Sequence, residues 1–214
     1  MQLENIHFLA IEGAIGVGKT SLARIIADRL GARLVLEQHE ANPFLADFYR
    51  DPARYAFQTQ LFFLLSRFQQ LQELSQQDVF YPYVVSDYIF AKNRIFAYLN
   101  LEERELQLYE TIHISMDKNL PRPDLVIYLQ SSHERLMQNI RKRGRSYERN
   151  ITEEYIQSLS EAYNHFFFHY QETPLLVVNS TRLDFVNREK DLEALLSQID
   201  RHPGGMVFFN PDVA

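Results

Sequence analysis

The chain has 214 residues, 46% of them hydrophobic, and carries 22 basic against 28 acidic side chains for a net charge of -6. That length suits one α/β domain, the acidic balance argues against a partner that is a nucleic acid polymer, and the absence of cysteine excludes disulfides and thiolate chemistry. Met1–Asn5 has no secretory pattern and the longest apolar runs, such as Phe62–Leu65, fall far short of the roughly 18 residues of a membrane span, so the expectation is a soluble cytoplasmic protein with no membrane partner.

Short runs rich in Val, Ile and Leu alternate with longer helical patterns, as in parallel strands joined by helical crossovers. In chain order the pattern predicts a strand over His7–Glu12, a helix over Lys19–Leu30, a strand over Arg33–Glu37 and a helix over Pro52–Gln76. A strand over Tyr83–Asp87 follows, then helices over Phe90–Leu99 and Glu102–Lys118. The series closes with a strand over Leu125–Leu129, helices over His133–Lys142 and Thr152–His169, a strand over Leu175–Val178 and a helix over Arg188–Ile199. In the second helix Leu61, Leu64, Leu65, Phe68 and Leu71 recur at three- and four-residue steps, the mark of one buried face. The domain spans residues 1–201. Residues 202–214, with two prolines and two glycines, read as an irregular tail whose Met206–Phe209 run could pack against the domain.

Between the first strand and the first helix lies Gly13-Ala14-Ile15-Gly16-Val17-Gly18-Lys19-Thr20, a complete G-x-x-x-x-G-K-T followed by Ser21. Glycines let the backbone curl so that successive N–H groups face phosphate oxygens, and the helix N-terminus adds its partial positive charge. Lys19 reaches the β and γ phosphates and Thr20 offers a hydroxyl to magnesium, so ATP and Mg²⁺ are the expected cofactors. A chance glycine-rich turn would not match every motif position in strand–loop–helix context.

The loop alone leaves several classes open. A GTPase should show Asn-Lys-x-Asp, which is missing. A motor ATPase should end a strand in an acid, whereas Leu125–Leu129 runs into Gln130-Ser131-Ser132. Five basic residues fall within positions 141–149, around Arg143-Gly144-Arg145. A solvated helix end is the plain reading. A mobile lid whose arginines close over the transferring phosphoryl group is the sharper one, since phosphoryl transfer needs positioned positive charge and exclusion of water.

With that stretch the chain resembles the deoxynucleoside kinase family, nearest to the bacterial deoxyguanosine/deoxyadenosine kinases, over about Phe8 to Ile199. Five segments carry the resemblance in the family's order. They are Ile11-Glu12-Gly13 with the phosphate loop; Glu37 before Asn42-Pro43-Phe44-Leu45; and Phe48-Tyr49 before Ala56-Phe57-Gln58-Thr59-Gln60. Val85-Ser86-Asp87-Tyr88 before Ile95-Phe96-Ala97, and Arg143-Gly144-Arg145 before Tyr147-Glu148, complete them. The resemblance implies a doubly wound α/β fold with a five-stranded parallel sheet flanked by helices, a short arginine-rich lid, and a homodimer formed through helices that include Phe90–Leu99 and Thr152–His169.

The resemblance also implies roles. Asp87, at a strand end where ligands of open sheets gather, takes the general-base position, with helix capping as its plain alternative. Glu37 lies near the 5′-hydroxyl and the metal and shares roles with Asp87. Gln60 reads the base through paired hydrogen bonds, and Arg67, on the same helix face, tunes base choice. Asn93 stands where some members have an acid paired with that arginine, leaving Arg67 freer to meet a purine carbonyl. Tyr49 and Glu148 hold the sugar 3′-hydroxyl, and Asp184 and Phe185 belong to a loop against the ATP adenine. One departure is Tyr88, where many members carry an arginine; the missing charge is then expected from Arg143, Arg145 or Arg94.

The expected activity is ATP-dependent phosphorylation of a deoxynucleoside at its 5′-hydroxyl, with purines preferred. A thymidylate-type monophosphate kinase and an idle nucleotide sensor are the rivals. His165 and His169 have metal-ligand spacing but no third ligand nearby, so packing is their reading.

Overall fold

The computed structural model describes residues 6–77 and 81–211. The first strand, β1 (Phe8–Gly13), is buried along its whole length and runs into the phosphate loop and α1 (Lys19–Leu30). After β2 (Arg33–Val35) come a 3-10 turn at His39–Ala41, the one-turn α2 (Leu45–Phe48) and the long α3 (Pro52–Gln77). The chain then forms β3 (Val84–Ser86), α4 (Lys92–Asn100), α5 (Glu103–Asp117), β4 (Leu125–Gln130) and α6 (His133–Arg143). A 3-10 turn at Ser146–Asn150 leads into α7 (Glu153–Phe168), β5 (Leu175–Asn179), α8 (Glu189–Asp200) and β6 (Met206–Phe209). Local chemistry sets several limits. Gly31 ends α1 in the left-handed region, while Ser132 and Thr152 cap α6 and α7 by accepting from Arg135 N and Tyr155 N, contacts worth about 1 kcal/mol each.

All six strands are parallel, in the order β2-β3-β1-β4-β5-β6. The chain winds outward from β1 to β2, returns to β3 beside β1, then crosses to β4. The order therefore reverses at β1, and open sheets bind ligands at the carboxyl ends of strands at such a point. The phosphate loop leaves β1 there, and Asp87 follows β3 on the neighbouring strand.

Two expectations change. The sheet has six strands rather than five, because Met206–Phe209, within the stretch read as an irregular tail, pairs with β5 from Leu175↔Met206 to Val178↔Phe209. As an edge strand β6 is covered on one face only: Val207 and Phe209 pack on the core, while Met206 and Phe208 are exposed. The strands read to Glu37 and Asp87 are also shorter. Each leaves the ladder before its acid, although Asp87 N still donates to Val35 O at 3.2 Å. Among the described residues, no helix is long and apolar enough to cross a membrane.

Candidate active site

The phosphate loop folds as its glycines predict. Gly16 has φ 87°, and a Cβ there would lie 2.7 Å from Leu136 O and 2.9 Å from Ile140 Cγ1, so α6 packs directly on the loop. Asn139 reinforces this by donating from Nδ2 to Gly16 O at 2.8 Å. Lys19 reaches across the loop, its Nζ donating to Gly13 O at 2.7 Å and Ala14 O at 3.1 Å. Burial and the nearby charge of Lys92 lower its pKa to about 8, against the opposing pull of Glu12, Glu37 and Asp87.

A cavity of about 610 Å³ opens over this loop. Its walls include Gly16, Gly18, Lys19, Thr20 and Ser21 on one side, Arg143 and Arg145 on another, and Asp184 and Phe185 on a third. A Cβ on Gly18 would come within 3.0 Å of Phe185 Cζ, which shows how closely the β5–α8 loop approaches the phosphate loop. The predicted nucleotide residues from Gly16 to Ser21, the lid arginines and the predicted adenine loop thus share one cavity, whose walls do not include Gly13, Ala14 or Ile15.

The acidic pair sits beside it. Thr20 Oγ1 donates to Asp87 Oδ2, and Asp87 Oδ1 accepts from Glu37 N at 2.8 Å. Asp87 therefore joins α1, the end of β2 and the end of β3 through one carboxylate. Glu37 is held differently. Its Oε1 accepts from Arg67 Nε at 2.8 Å and from Arg67 Nη2, while Oε2 accepts from Lys92 Nζ at 2.9 Å. Burial alone would raise the Glu37 pKa, but the charges of Arg67 and Lys92 overrule it and hold the carboxyl far below the usual carboxylate range.

Arg67 is less free than the sequence suggests. Besides its bonds to Glu37, it donates from Nη1 to Asn93 Oδ1, so a neutral Asn93 still engages it. The sequence reading missed Glu37 as its main partner because the two lie 30 positions apart. Gln60 lies on the same helix, 2% exposed, and its Oε1 has no hydrogen-bond partner among the described residues.

Tyr49 and Glu148 lie at the lid. The Tyr49 ring is nearly parallel to that of Tyr147, with centroids 6.5 Å apart and an 8° interplanar angle, and Tyr147 Oη is buried without a partner among the described residues. Glu148, also buried, accepts from Arg143 Nη2 at 2.6 Å and Nε at 3.1 Å, and Arg145 Nη1 approaches to 3.7 Å. The predicted sugar-binding carboxylate is therefore also the anchor of the lid arginines. Gly144 between them takes φ 68° and ends α6.

Three placements bear on charge. Tyr88 turns its fully buried ring into the core, where Oη donates to Gln70 Oε1 at 3.0 Å. Arg94 is 42% exposed and pairs with Glu110 at 3.0 Å. Lys92, given no role by the sequence reading, is 3% exposed and lies against Glu37. A lysine at the start of an amphipathic helix carries no signal of burial. Glu12 was also missed as a site residue. Its Oε2 accepts from Gly13 N at 3.0 Å and Tyr163 Oη at 3.2 Å, and its Oε1 from Ile89 N at 3.0 Å, so it ties the phosphate loop to the segment after Asp87. Burial raises the Glu12 pKa against the pull of Lys92 and Lys19. His165, on an exposed turn of α7, and His169, the exposed residue that follows its end, have ring centroids 4.7 Å apart, and no group of three or more metal-binding side chains occurs among the described residues.

The sequence model of the deoxynucleoside kinase family matches residues 9–202. The chain is 34% identical over 197 residues to the deoxyguanosine kinase of Bacillus subtilis strain 168, covering 90% of this chain and 95% of that one. To the deoxyadenosine kinase of Dictyostelium discoideum it is 37% identical over 167 residues, covering 77% and 67%. Among solved structures it is similar to the deoxyadenosine kinase from M. mycoides with bound dATP, with a TM-score of 0.79 at 26% identity over 91% of this chain and 99% of that one. The same kinase with bound dCTP gives a TM-score of 0.77.

Proposed function

This chain belongs to the deoxynucleoside kinase family, and we propose that it transfers the γ-phosphate of ATP to the 5′-hydroxyl of a purine deoxynucleoside. The observation that carries the reading is the contact of Thr20 with Asp87, which joins the phosphate-loop cavity to the acidic pair. A monophosphate kinase is not favoured, since the relatives are nucleoside kinases. The names of those relatives, deoxyguanosine and deoxyadenosine kinases, support the purine preference.

In this reading the deoxynucleoside lies between α3 and the lid, with its base toward Gln60 and Arg67 and its sugar 3′-hydroxyl toward Tyr49 and Glu148. Its 5′-oxygen then faces Asp87. The 5′-oxygen bonds to the γ-phosphorus as the bond to the bridging oxygen breaks, the electron pair leaves with ADP, and the 5′-hydroxyl proton passes to Asp87. Asp87 is assigned this role over Glu37 because both Glu37 oxygens are committed to cations, which makes Glu37 the weaker base. Lys19, Arg143 and Arg145 offset the charge that spreads over the transferring group.

The donor set fits magnesium. The Thr20 hydroxyl is a hard oxygen donor that would hold the ion directly, and the Asp87 carboxylate in contact with it would hold it through water, which leaves that carboxylate free to act as the base. Glu37, which the sequence reading placed on the metal, is the poorer ligand for the same reason that it is the weaker base. Held there, the ion would supply positive charge against the negative charge that develops during transfer.

The test offers deoxyguanosine, deoxyadenosine, deoxycytidine, thymidine and their monophosphates with Mg-ATP and follows ADP release. Turnover is expected with purine deoxynucleosides, and Asp87→Asn should lower kcat by about 10²–10⁴-fold. Turnover confined to monophosphates would displace the reading, and full activity in Asp87→Asn would remove Asp87 as the base.

A further inference from the structure

The two cations on Glu37 come from different elements and hold different oxygens. Arg67 reaches from the middle of α3 to Oε1, and Lys92 from the first residue of α4 to Oε2. Lys92 lies five residues after Asp87, and its backbone N–H donates to Ile89 O at 3.2 Å. One short connection therefore delivers both the acid that contacts Thr20 and the cation that contacts Glu37. The backbone of Glu37 in turn donates to Asp87. The four groups close a ring, in which Lys92 holds the Glu37 carboxylate, Glu37 N holds Asp87, and the chain from Asp87 returns to Lys92.

We infer that Lys92 is a positioning residue for phosphoryl transfer, fixing the Glu37 carboxylate at the acceptor side of the site and, through the Glu37 backbone, the direction of the Asp87 carboxylate. The inference rests on the kinase reading above. Burying an ammonium is unfavourable unless it is paired, and apolar replacement of a buried pair commonly costs a fold nothing. Structural need alone therefore does not account for a lysine 3% exposed at the edge of the site. Its Nζ lies 5.7 Å from the Phe96 ring centroid, so the stem is held on α4 while the charge points at Glu37. The three cations from which the sequence led us to expect the missing charge face other carboxylates. Arg143 and Arg145 face Glu148, and Arg94 pairs with Glu110. The side chain next to Asp87 cannot supply the charge, because Tyr88 is turned into the core.

The test is a double-mutant cycle on the full chain, with kcat and KM measured for a deoxynucleoside and for Mg-ATP. Lys92→Met is expected to lower kcat by about 100-fold while KM for Mg-ATP changes by less than about threefold. In a Glu37→Gln background the same substitution should cost less than about threefold in kcat, because there is no longer a carboxylate to hold. Should Lys92→Met fail to fold, Lys92→Gln keeps a hydrogen-bond donor without the charge and enters the same cycle. Equal losses in both backgrounds would overturn the inference, as would a loss confined to KM for Mg-ATP. Wild-type turnover of the deoxynucleoside separates the two levels: without it the kinase reading itself fails, and with it additive losses remove only the role of Lys92.

Discussion

Gln60 is buried in α3 with an oxygen that no described residue satisfies. A carboxamide oxygen left unpaired in an apolar setting costs about 1–3 kcal/mol, so its retention there points to a partner that arrives with a ligand. Arg67, seven positions along the helix, is fixed by Glu37 and Asn93, leaving Gln60 as the adaptable group of the pair. Gln60→Ala should raise KM for the deoxynucleoside by about tenfold or more, while KM for Mg-ATP stays within about threefold. Steady-state kinetics with each substrate varied in turn checks this. Equal changes in both constants would count against base reading by Gln60.

At the scale of elements, α5 shows how a helix outside the site props the segment that forms it. His113 on its buried face stacks on Phe90, just ahead of α4, with centroids 4.8 Å apart, and its Nε2 has no partner among the described residues. Burial lowers the His113 pKa and Arg94 adds to this, while Asp117 and Glu110 oppose it. The unfolded chain therefore binds more protons than the folded one as pH falls below the ordinary histidine value, and stability is lost from about pH 6.5 downward. His113→Phe keeps the stacked ring and removes the proton site. Urea midpoints at pH 7.5 and 5.5 should drop less in the variant than in wild type, and equal drops would show that His113 is not held neutral by its surroundings. Elements of this kind were legible in the sequence where the signal is local. The periodicity of α3, the glycine after α1 and the motif of the phosphate loop each report on their own neighbourhood. β6 was not, because glycines and prolines flank it and its alternate residues face solvent. The acceptor side of the site was legible only through family resemblance, since Glu37, Arg67, Lys92 and Asn93 meet across three separate segments. Lys92 was missed altogether, for its burial depends on a carboxylate 55 positions away.

At the scale of the molecule, the helices that start in the site also reach the surface. α4 begins with Lys92 and Asn93 against Glu37 and Arg67, and six residues later presents Tyr98, 59% exposed. α7, which packs on α4, supplies Tyr163 to Glu12 and ends at Phe168, 75% exposed. We propose that these helices form the face of a homodimer, as resemblance to the family implies. Scattered exposed apolar residues are ordinary on a monomer, so the case rests on two of them belonging to the two helices expected at the interface. Light scattering on the wild type should then give twice the 25.3 kDa of one chain. Tyr98→Glu places a charge where a second copy would remove water, and should shift the mass to that of one chain. The site residues named above all lie within a single chain, so turnover of the separated protein should stay within about threefold of wild type. A wild-type mass of one chain would remove the dimer. A dimer that Tyr98→Glu leaves intact would move the interface away from α4. Separation with a large loss of turnover would mean that pairing holds the start of α4, and with it Lys92 and Asn93, in place.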